Sequence, residues 1–411
     1  MPEEKIRPRN VAILAKLEST VGTDASPGAS DAFPFEADGY SYNAPYRREQ
    51  SNEANGSYVS GAPLVIGQPA EVSIRVRLKG VGGSSAYSAS VKPPHHTLFE
   101  TCGMRGLFTA AVASAALTAG TTTSGTLGTG FGTTAEIYRG MPLQLSGGAS
   151  GGRIAHVSAY SAGKMATLAD VFASALDTSA SAALPANWTY AGTSPKDASA
   201  RATDHPSATI YIYEDGTLHK FVGCRGSISE LGGNTARPGY ATFRLMGIYA
   251  GKSDATLPAV SVPQHSAPVL AMGTGGVTPA LVVNRKELAI SQWGLAVDQT
   301  VESPDDPNTA YGFGAAEIGG RTPVFTIDPL ATLKATRDSI AEIEAGAAYP
   351  AVIRYGSVAQ NRWSLTLPQA LIAESGVGTR GQFRSEQIAL QALNPGVGPS
   401  DRDAEAILCF Y

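Results

Sequence analysis

One order of secondary-structure elements is predicted twice in this chain: a strand, a short helix, a strand that ends in a turn, and a closing strand. The two copies comprise residues 71–79, 93–102, 208–216 and 240–246, and residues 322–327, 328–345, 351–355 and 382–390. Their side chains differ, so the repeat is one of element order and boundary residues. Two similar units in one subunit predict pseudo-symmetry, which favours a ring or a tube over a catalyst.

The strand at residues 71–79 carries the clearest pattern in the chain. Its apolar members alternate strictly with Ser and basic residues, and they are Val72, Ile74, Val76 and Leu78. Such alternation predicts one buried and one solvated face. Gly (46) and Pro (26) are plentiful and only 16% of residues are charged, a mixture that favours strands joined by turns. We predict a mainly β (α+β) chain, which at 411 residues is long enough for two or three domains.

Helix signals follow the first strand of each copy. Pro93 and Gly103 suit the start and the end of the first helix, and Asp328 and Gly346 suit those of the second. Apolar side chains are expected to bury one face of each helix: Leu98, Phe99 and Cys102 in the first copy, and Leu330, Leu333, Ile340 and Ile343 in the second. We expect each helix to cover one side of a sheet and to leave the other side free.

Domain boundaries follow from the two copies. The predicted parts are a first domain at residues 1–105 and 206–255, a linker at 256–280 and a second domain at 281–411. Residues 106–205 interrupt the first copy with short apolar runs between glycine turns, which indicates a small inserted β domain. Inserted modules have their ends close together, so we expect that removing residues 106–202 leaves assembly intact. The apolar C-terminal run, 406–411, is expected to pair into a sheet.

Charge and cysteine content argue against several classes of function. The formal charge is −4 and the pI is near 5.9, whereas a nucleic-acid-binding surface needs a basic excess. The three cysteines lie far apart, which predicts buried thiols rather than a disulfide framework. No apolar run reaches the about 18 residues that a membrane-spanning helix needs, and the first residues lack a signal-peptide pattern. We expect synthesis in the cytoplasm and no membrane partner.

None of the possible chemical motifs in the sequence forms a catalytic constellation. His95 and His96 have no further ligand at metal spacing and are expected at the surface of a helix N-terminus. Ser161 lies in a weak nucleophile-elbow match that lacks the first glycine. The glycine-rich run 125–132 fits no nucleotide-binding fingerprint, and the Asp-Gly pair at 215–216 predicts a hairpin turn. We predict no enzyme activity, no cofactor and no metal.

Two charged segments are candidate subunit contacts. The polar side of the first strand is either solvated or in ionic contact with a neighbouring subunit, and it consists of Arg75, Arg77 and Lys79. The segment 46–61 is polar, lacks periodicity and is long for a connector; its charged residues include Arg47, Arg48 and Glu49. We interpret this segment, with the N-terminal arm, as a candidate for the axial contact between stacked rings.

Several segments, taken in their order along the chain, resemble a known family. They are residues 10–18 (NVAILAKLE), 22–24 (GTD) with 31–32 (DA), 71–80 ending in KG, 98–103 (LFETCG), 213–219 (YEDGTLH), 223–226 (GCRG) and 243–249 (FRLMGIY). In that order they resemble the tail tube (major tail) proteins of bacteriophages with long non-contractile tails. The resemblance covers most of residues 9–105 and 206–250 and, more loosely, 285–411. The insertion resembles an accessory β domain carried on the tube exterior.

The resemblance implies a fold, a function and partners. The fold is a β-sandwich or partial barrel with a flanking helix, and its strands join those of neighbours into a continuous inner barrel that leaves no exposed edge. The function is structural, since stacked rings form the tail tube through which DNA is ejected into the host. The protein would lie in the virion tail after synthesis in the host cytoplasm. Implied partners are further copies of the chain, the tape measure protein and genomic DNA in the lumen, and the tail terminator and tail-tip proteins at the ends.

Two tube domains in one chain predict a trimeric, pseudo-hexameric ring, with a hexameric ring as the alternative. A lumen that passes DNA must not hold it, so we expect a neutral to acidic lining in which Arg75, Arg77 and Lys79 are neutralised or face away. Two other functions stay open. A secreted or surface β-rich adhesin would be favoured by a secretion signal, and a tail-tip, depolymerase-like enzyme by a carboxylate pair or a long solenoid repeat.

Overall fold

The computed structural model describes residues 7, 10–43, 45–54, 56–82, 85–260, 262, 278–396 and 402–411. Most of its regular structure is β. The first elements are β1 (Val11–Leu17), β2 (Tyr40–Tyr42), β3 (Tyr46–Glu49), β4 (Leu64–Gly67), β5 (Ala70–Arg77), α1 (His96–Thr101) and β6 (Met104–Thr109). The next strands are β7 (Val112–Ala116), β8 (Ala119–Gly120), β9 (Ser124–Thr126), β10 (Pro142–Ser146), β11 (Ile154–Tyr160), β12 (Met165–Leu168) and β13 (Ser181–Leu184).

The second part of the chain contains the longest strands. It begins with β14 (Asn187–Thr193), α2 (Ala198–Asp204), β15 (Ala208–Glu214), β16 (Thr217–Asn234), β17 (Tyr240–Asp254), β18 (Leu281–Val283), β19 (Lys286–Glu287) and β20 (Gln292–Ala296). It continues with β21 (Gln299–Glu302), β22 (Glu317–Arg321), β23 (Val324–Ile327), α3 (Ser339–Ala345), β24 (Tyr349–Tyr355), β25 (Trp363–Arg380), β26 (Phe383–Ala392) and β27 (Arg402–Phe410).

Sixteen of these strands form one sheet, which curls into a half-barrel. Its main path runs β19-β18-β24-β25-β26-β23-β20-β16-β17-β5-β2. β1 and β15 join this path beside β16, and β27, β14 and β6 join it beside β25. The predicted mainly β class is thus confirmed.

Two long hairpins, β16–β17 and β25–β26, organise this large sheet. β16 and β25 contain 18 residues each, so each is long enough to border two neighbours along one edge. On β16, residues 217–224 pair with β15 and residues 231–234 pair with β20. On β25, residues 363–370 pair with β24. After residue 370, the edge of β25 that lies opposite β26 pairs with no described strand.

Local sequence signals explain several of these elements. The alternation predicted for residues 71–79 is confirmed in β5, where Ile74 and Val76 are both 0% exposed. The predicted Asp-Gly turn is confirmed as well, with φ angles of 40° at Asp215 and 99° at Gly216. These left-handed angles suit a two-residue hairpin turn. The C-terminal run is paired as predicted, because β27 lies between β14 and β25.

Helix α1 buries the face that the sequence predicted. Leu98 and Phe99 are 1% and 0% exposed, and the Phe99 ring contacts the rings of Tyr190, Phe243 and Phe410. These aromatic side chains come from β14, β17 and β27. The helix therefore packs strands from distant parts of the chain into one core.

The second predicted helix, at residues 328–345, is wrong for more than its first half. α3 begins only after Asp338, whose side chain caps it. Residues 329–331 run beside β26 instead and form backbone hydrogen bonds with it. Leu333 and Ile340 were expected to be buried, but they are 81% and 66% exposed. Helical spacing of apolar residues was misleading here because the sheet already supplies the partner of this segment.

Residues 112–184 form a separate seven-stranded sheet, in the order β7-β13-β10-β11-β12-β9-β8, around its own hydrophobic core. This small sheet is narrower than the predicted insertion at 106–205. β6 and β14 pair with each other inside the large sheet, and β14 is buried along its whole length. Because Thr109 pairs with Asn187, the small sheet is inserted in the loop of a β6–β14 hairpin.

Both predicted domains contribute to one core of the large sheet. Phe243 belongs to the first, Phe325 and Trp363 belong to the second, and all three are 0% exposed within one cluster. Most of the predicted linker at 256–280 lies outside the described residues. Among the helices that the structure describes, none is long and apolar enough to cross a membrane.

Candidate subunit-contact surfaces

One side of the large sheet is polar and continuous across both halves of the chain. Residues that pair across neighbouring strands point to the same side of a sheet, so the pairing register traces rows along it. One row passes through Arg77, Tyr240, Gly232, Gly294, Thr326, Ala389 and Glu374. We call the side that carries this row the polar face. Around Thr326 and Glu374 it forms a groove of about 590 Å³.

The arginines of the polar face are paired with carboxylates of the same chain. The Nε atoms of Arg77 and Arg75 lie 2.8 Å and 3.3 Å from the two carboxylate oxygens of Glu36. Arg244 donates from Nε and Nη2 to both oxygens of Glu71, at 2.7 Å and 2.8 Å. Such partly exposed pairs contribute only about 0–1 kcal/mol each to stability. Their main effect is to offset two of the three arginine charges on the polar face.

Lys79 is not on the polar face, so the prediction that it shares one solvated or subunit-contacting side of the strand with Arg75 and Arg77 is wrong. The chain leaves β5 after Arg77, and the N–H of Gly80 donates to the side-chain oxygen of Asn361 at 3.0 Å. Lys79 is consequently only 2% exposed. Burial lowers the pKa of its amine to about 8.

The candidate axial segment begins with one strand of a hairpin, β3, and its other described residues lie in the loop of that hairpin. Arg47, Arg48 and Glu49 lie on β3, are exposed, and pair with β4 as Arg47↔Ile66, Arg48↔Val65 and Glu49↔Leu64. The partner strand lies beyond the predicted segment, which is why the pattern was missed. Leu64 and Val65 are both 66% exposed and Tyr46 is 55% exposed. A two-stranded hairpin is marginally stable alone, and clustered apolar exposure is typical of contact surfaces.

Several strand edges of the large sheet face no strand that the structure describes, and two of them are the candidates for a subunit contact. One is the outer edge of β2. The other is the edge of β25 opposite β26, over residues 374–380, with Val377 at its centre 78% exposed. Unpaired N–H and C=O groups along an edge are a template for pairing with another chain. Sequence reasoning missed both edges, because an edge is a property of the sheet order.

His95 is buried and the His96 side chain is only 12% exposed, contrary to the predicted surface position. The Nε2 atom of His95 lies 3.0 Å from the carbonyl oxygen of Pro34, and the Nδ1 atom of His96 lies 2.9 Å from the Tyr190 hydroxyl. Burial, helped by the nearby Lys92 charge, lowers the pKa of His96 to about 3. Within the described ranges, no group of three or more His, Cys, Asp or Glu side chains is placed to hold a metal ion.

A cleft of about 820 Å³ borders β14, β22 and β27. Its main cation, Arg321, donates to Glu405 Oε1 at 2.6 Å, to the carbonyl oxygen of Thr193 at 2.8 Å and to the Asp403 carboxylate. Arg321 thus joins three segments of the chain. We interpret the cleft as a structural junction.

No protein-family model matches the chain, and no curated protein is significantly similar to it in sequence.

Proposed function

We propose that this protein is a structural subunit of the tail tube of a bacteriophage with a long non-contractile tail. Copies of the chain associate into rings, and the rings stack into the channel through which DNA is ejected into the host. The protein is located in the virion tail and is not an enzyme. The observation that carries the proposal is the strand path of the large sheet, which supports two tube-type domains in one subunit.

The two halves of the sheet follow one path. Twelve of the sixteen strands fall into two sets of six, which leaves out β6, β14, β19 and β27. In chain order the first half comprises β1, β2, β5, β15, β16 and β17, and the second comprises β18, β20, β23, β24, β25 and β26. In the sheet these strands lie in the orders β1-β15-β16-β17-β5-β2 and β18-β24-β25-β26-β23-β20, with antiparallel neighbours throughout. α1 and α3 each fall between the third and fourth strands of their half. An internal duplication accounts for this match.

Local irregularities of the two central hairpins support the same equivalence. The β16–β17 register shifts between Ile228 and Glu230, and the β25–β26 register shifts between Ile372 and Glu374. β-bulges are specific features of a strand. The two bulges match in position and in their flanking residues. This match favours a common origin of the two hairpins over independent origins.

The polar face suits the lumen of such a tube. Glu36 and Glu71 offset two of the three arginine charges there, and Glu230 and Glu374 add acidic side chains in the groove. A duplex carries about one negative charge per 1.7 Å of axis, and an unpaired basic lining would retain it by counterion release. In this arrangement genomic DNA and the tape measure protein occupy the lumen, and the tail terminator and tail-tip proteins cap the ends.

Two tube-type domains in each chain favour a trimeric, pseudo-hexameric ring over a hexameric one. Closed rings that also stack need a separate axial interface. The exposed β3–β4 hairpin, with Arg47, Arg48 and Glu49, is our candidate for it. Negative-stain electron microscopy and native mass spectrometry of the purified protein test the proposal together. Tubes or stacked rings of three chains are expected, six chains per ring would refute the trimer, and only monomers or isolated spikes would refute the tube.

A further inference from the structure

We propose that the free edge of β25 binds the free edge of β2 of a second copy of this chain, in antiparallel register, with Gly376 opposite Gly39 and Ser375 opposite Tyr40. This inference rests on the proposed ring-forming function and specifies which strands meet and in which register. The partner is another copy because the seam that serves as a template for the contact lies inside the chain itself.

The template is the pairing between β16 and β20. There Leu231 pairs with Leu295 and Gly232 pairs with Gly294. These pairs join the first half of the sheet to the second through the end of one long hairpin. The second half has an equivalent hairpin end, on β25, and there the edge opposite β26 has no described strand beside it.

The equivalent residues on β25 follow from the bulges. Glu230 and Glu374 are the first residues after the register shift in β16 and β25. Counting onward, Ser375 is the equivalent of Leu231 and Gly376 is the equivalent of Gly232.

The equivalent residues on β2 follow from the pairing across three strands. In the second half, Leu295 pairs with Phe325 and Phe325 pairs with Leu390, which in turn pairs with Ile372. In the first half, the corresponding ladder consists of Tyr40, Ile74, Phe243 and Ile228. Tyr40 is thus the equivalent of Leu295 and Gly39 is the equivalent of Gly294. Transfer of the internal seam sets Ser375 opposite Tyr40.

The end of β16 is buried and the equivalent end of β25 is exposed, as expected if the β25 end lacks a partner strand. Leu231, Gly232 and Gly233 are buried beneath β20, whereas residues 373–377 are exposed. A Cβ added at Gly232 would lie 3.0 Å from the carbonyl oxygen of Trp293, on β20. A Cβ added at Gly376 would meet only Gln387, at 3.8 Å, on its own hairpin. The β25 edge therefore has the room that a second strand would fill.

Charge does not oppose the contact. Arg75 and Arg77, next to β2, are already paired with Glu36. Glu374 would lie opposite the neutral Ser41. A β2 edge that pairs with a β25 edge is a head-to-tail contact, which closes into a ring when the rotation per copy allows it.

Cysteine cross-linking tests the register. Cys102, Cys224 and Cys409 are buried and free, as predicted from the sequence, so an introduced surface cysteine is the reactive one. Ser41→Cys and Glu374→Cys proteins, mixed and oxidised, are expected to form a disulfide-linked dimer that neither protein forms alone. Ser41→Cys mixed with Val377→Cys is the out-of-register control and is expected to lose this product. Equal cross-linking in the control, or cross-linking of Ser41→Cys to itself, would overturn the inference.

A second variant tests the edge without oxidation. Gly376→Lys fits the isolated subunit, because only Gln387 is near, but it places a charge in the proposed contact. Loss of oligomers with an unchanged circular dichroism spectrum is expected. Gly320→Lys is the matched control, since a Cβ there meets nothing within 4 Å and the position lies on β22.

The two proposals fail in different ways. Rings that form normally with Gly376→Lys and that do not cross-link would refute the edge pairing and leave the tube standing. Specific cross-links in a protein that never stacks into tubes would confirm the edge pairing and refute the tube.

Discussion

An Nη2 atom of Arg354 lies 2.6 Å from the carboxylate of Asp170, and both side chains are buried, at 2% and 0% exposure. The pair joins β24 of the large sheet to the small sheet just after β12. Arg354 also donates from Nε to His156 Nδ1 at 3.0 Å, and His156 Nε2 lies 2.7 Å from the Ser364 hydroxyl. The small sheet is therefore held to the large one by a buried polar network as well as by its two covalent connections.

Arg354→Met should lower the free energy of unfolding by about 3–5 kcal/mol, because it leaves the Asp170 carboxylate buried without its charge partner. Urea denaturation measures the change. The Arg354→Met, Asp170→Leu double variant should be less destabilised than the sum of the single changes. Arg244→Met is the control, since the Arg244 side chain is 58% exposed and its pair with Glu71 lies at the surface. A loss below about 1 kcal/mol in Arg354→Met would contradict the role of the pair.

The unfolding free energy should fall as the pH drops from 7 towards 5. Burial, helped by the Arg354 charge, lowers the pKa of His156 well below its ordinary value of 6.5, and burial also lowers the pKa of His96 to about 3. Below pH about 6.5 these two histidines bind protons in the unfolded chain but not in the folded chain. The stabilisation that they contribute above that pH is therefore lost. Denaturation midpoints measured across this range test the slope, and His156→Gln should make it shallower. An equal slope in His156→Gln would show that this histidine takes up a proton as readily in the folded chain as in the unfolded one.

Phe99→Ala should destabilise the protein by about 3–5 kcal/mol, because it removes the side chain that packs α1 against three strands. Ile340→Ala is the matched change on α3 and should alter stability by less than about 0.5 kcal/mol, since Ile340 is 66% exposed. Thermal unfolding of both variants gives the comparison. Similar losses would mean that α3 is packed in the same way as α1.

Replacement of residues 110–186 by an Asn-Gly turn should leave the large sheet folded, because Thr109 and Asn187 already face each other and such a turn closes a two-residue hairpin. Replacement of residues 106–202, which the sequence alone predicted to be tolerated, should instead prevent folding, since it removes β14 from beside β27. Circular dichroism and size-exclusion chromatography separate these outcomes. The shorter deletion also exposes Arg354 and Val352, so reduced stability is expected alongside a retained fold.

Tubes carrying Glu36→Gln and Glu71→Gln should retain duplex DNA that wild-type tubes release, because Arg75, Arg77 and Arg244 lose their carboxylate partners. Retention should weaken steeply with added salt. Nuclease protection of the retained DNA distinguishes the lumen from the tube exterior. Unprotected DNA would place the polar face outside.

Local patterns predicted the elements whose partners are close in sequence or whose faces are strictly amphipathic. β5, the turn at Asp215 and the burial of Leu98 all follow from such patterns. The long strands β16 and β25 did not, because Gly232 and Gly376 weaken strand propensity. Of the two, only Gly232 is explained by a neighbouring backbone, since a Cβ there would lie 3.0 Å from the Trp293 carbonyl oxygen. Leu333 shows the opposite failure. Helical spacing of apolar residues predicted a buried helix face there, but the segment has no core to pack against.

The candidate site was predicted in part. Arg75 and Arg77 were identified from alternation, but their partner Glu36 lies 41 residues from Arg77 in sequence, and no local pattern connects them. Lys79 was misplaced because alternation was extended past the end of β5. The segment at 46–61 was singled out for its length alone, and its hairpin depends on a strand outside that segment.

The seam between β16 and β20 lies within one polypeptide, so it forms at an effective concentration that dilution cannot change. In a ring built as proposed, every second seam is of this kind and is complete as soon as a subunit has folded. Only the alternate seams depend on how many subunits are present. Dilution should consequently divide such a ring into whole chains, each still carrying its two halves joined.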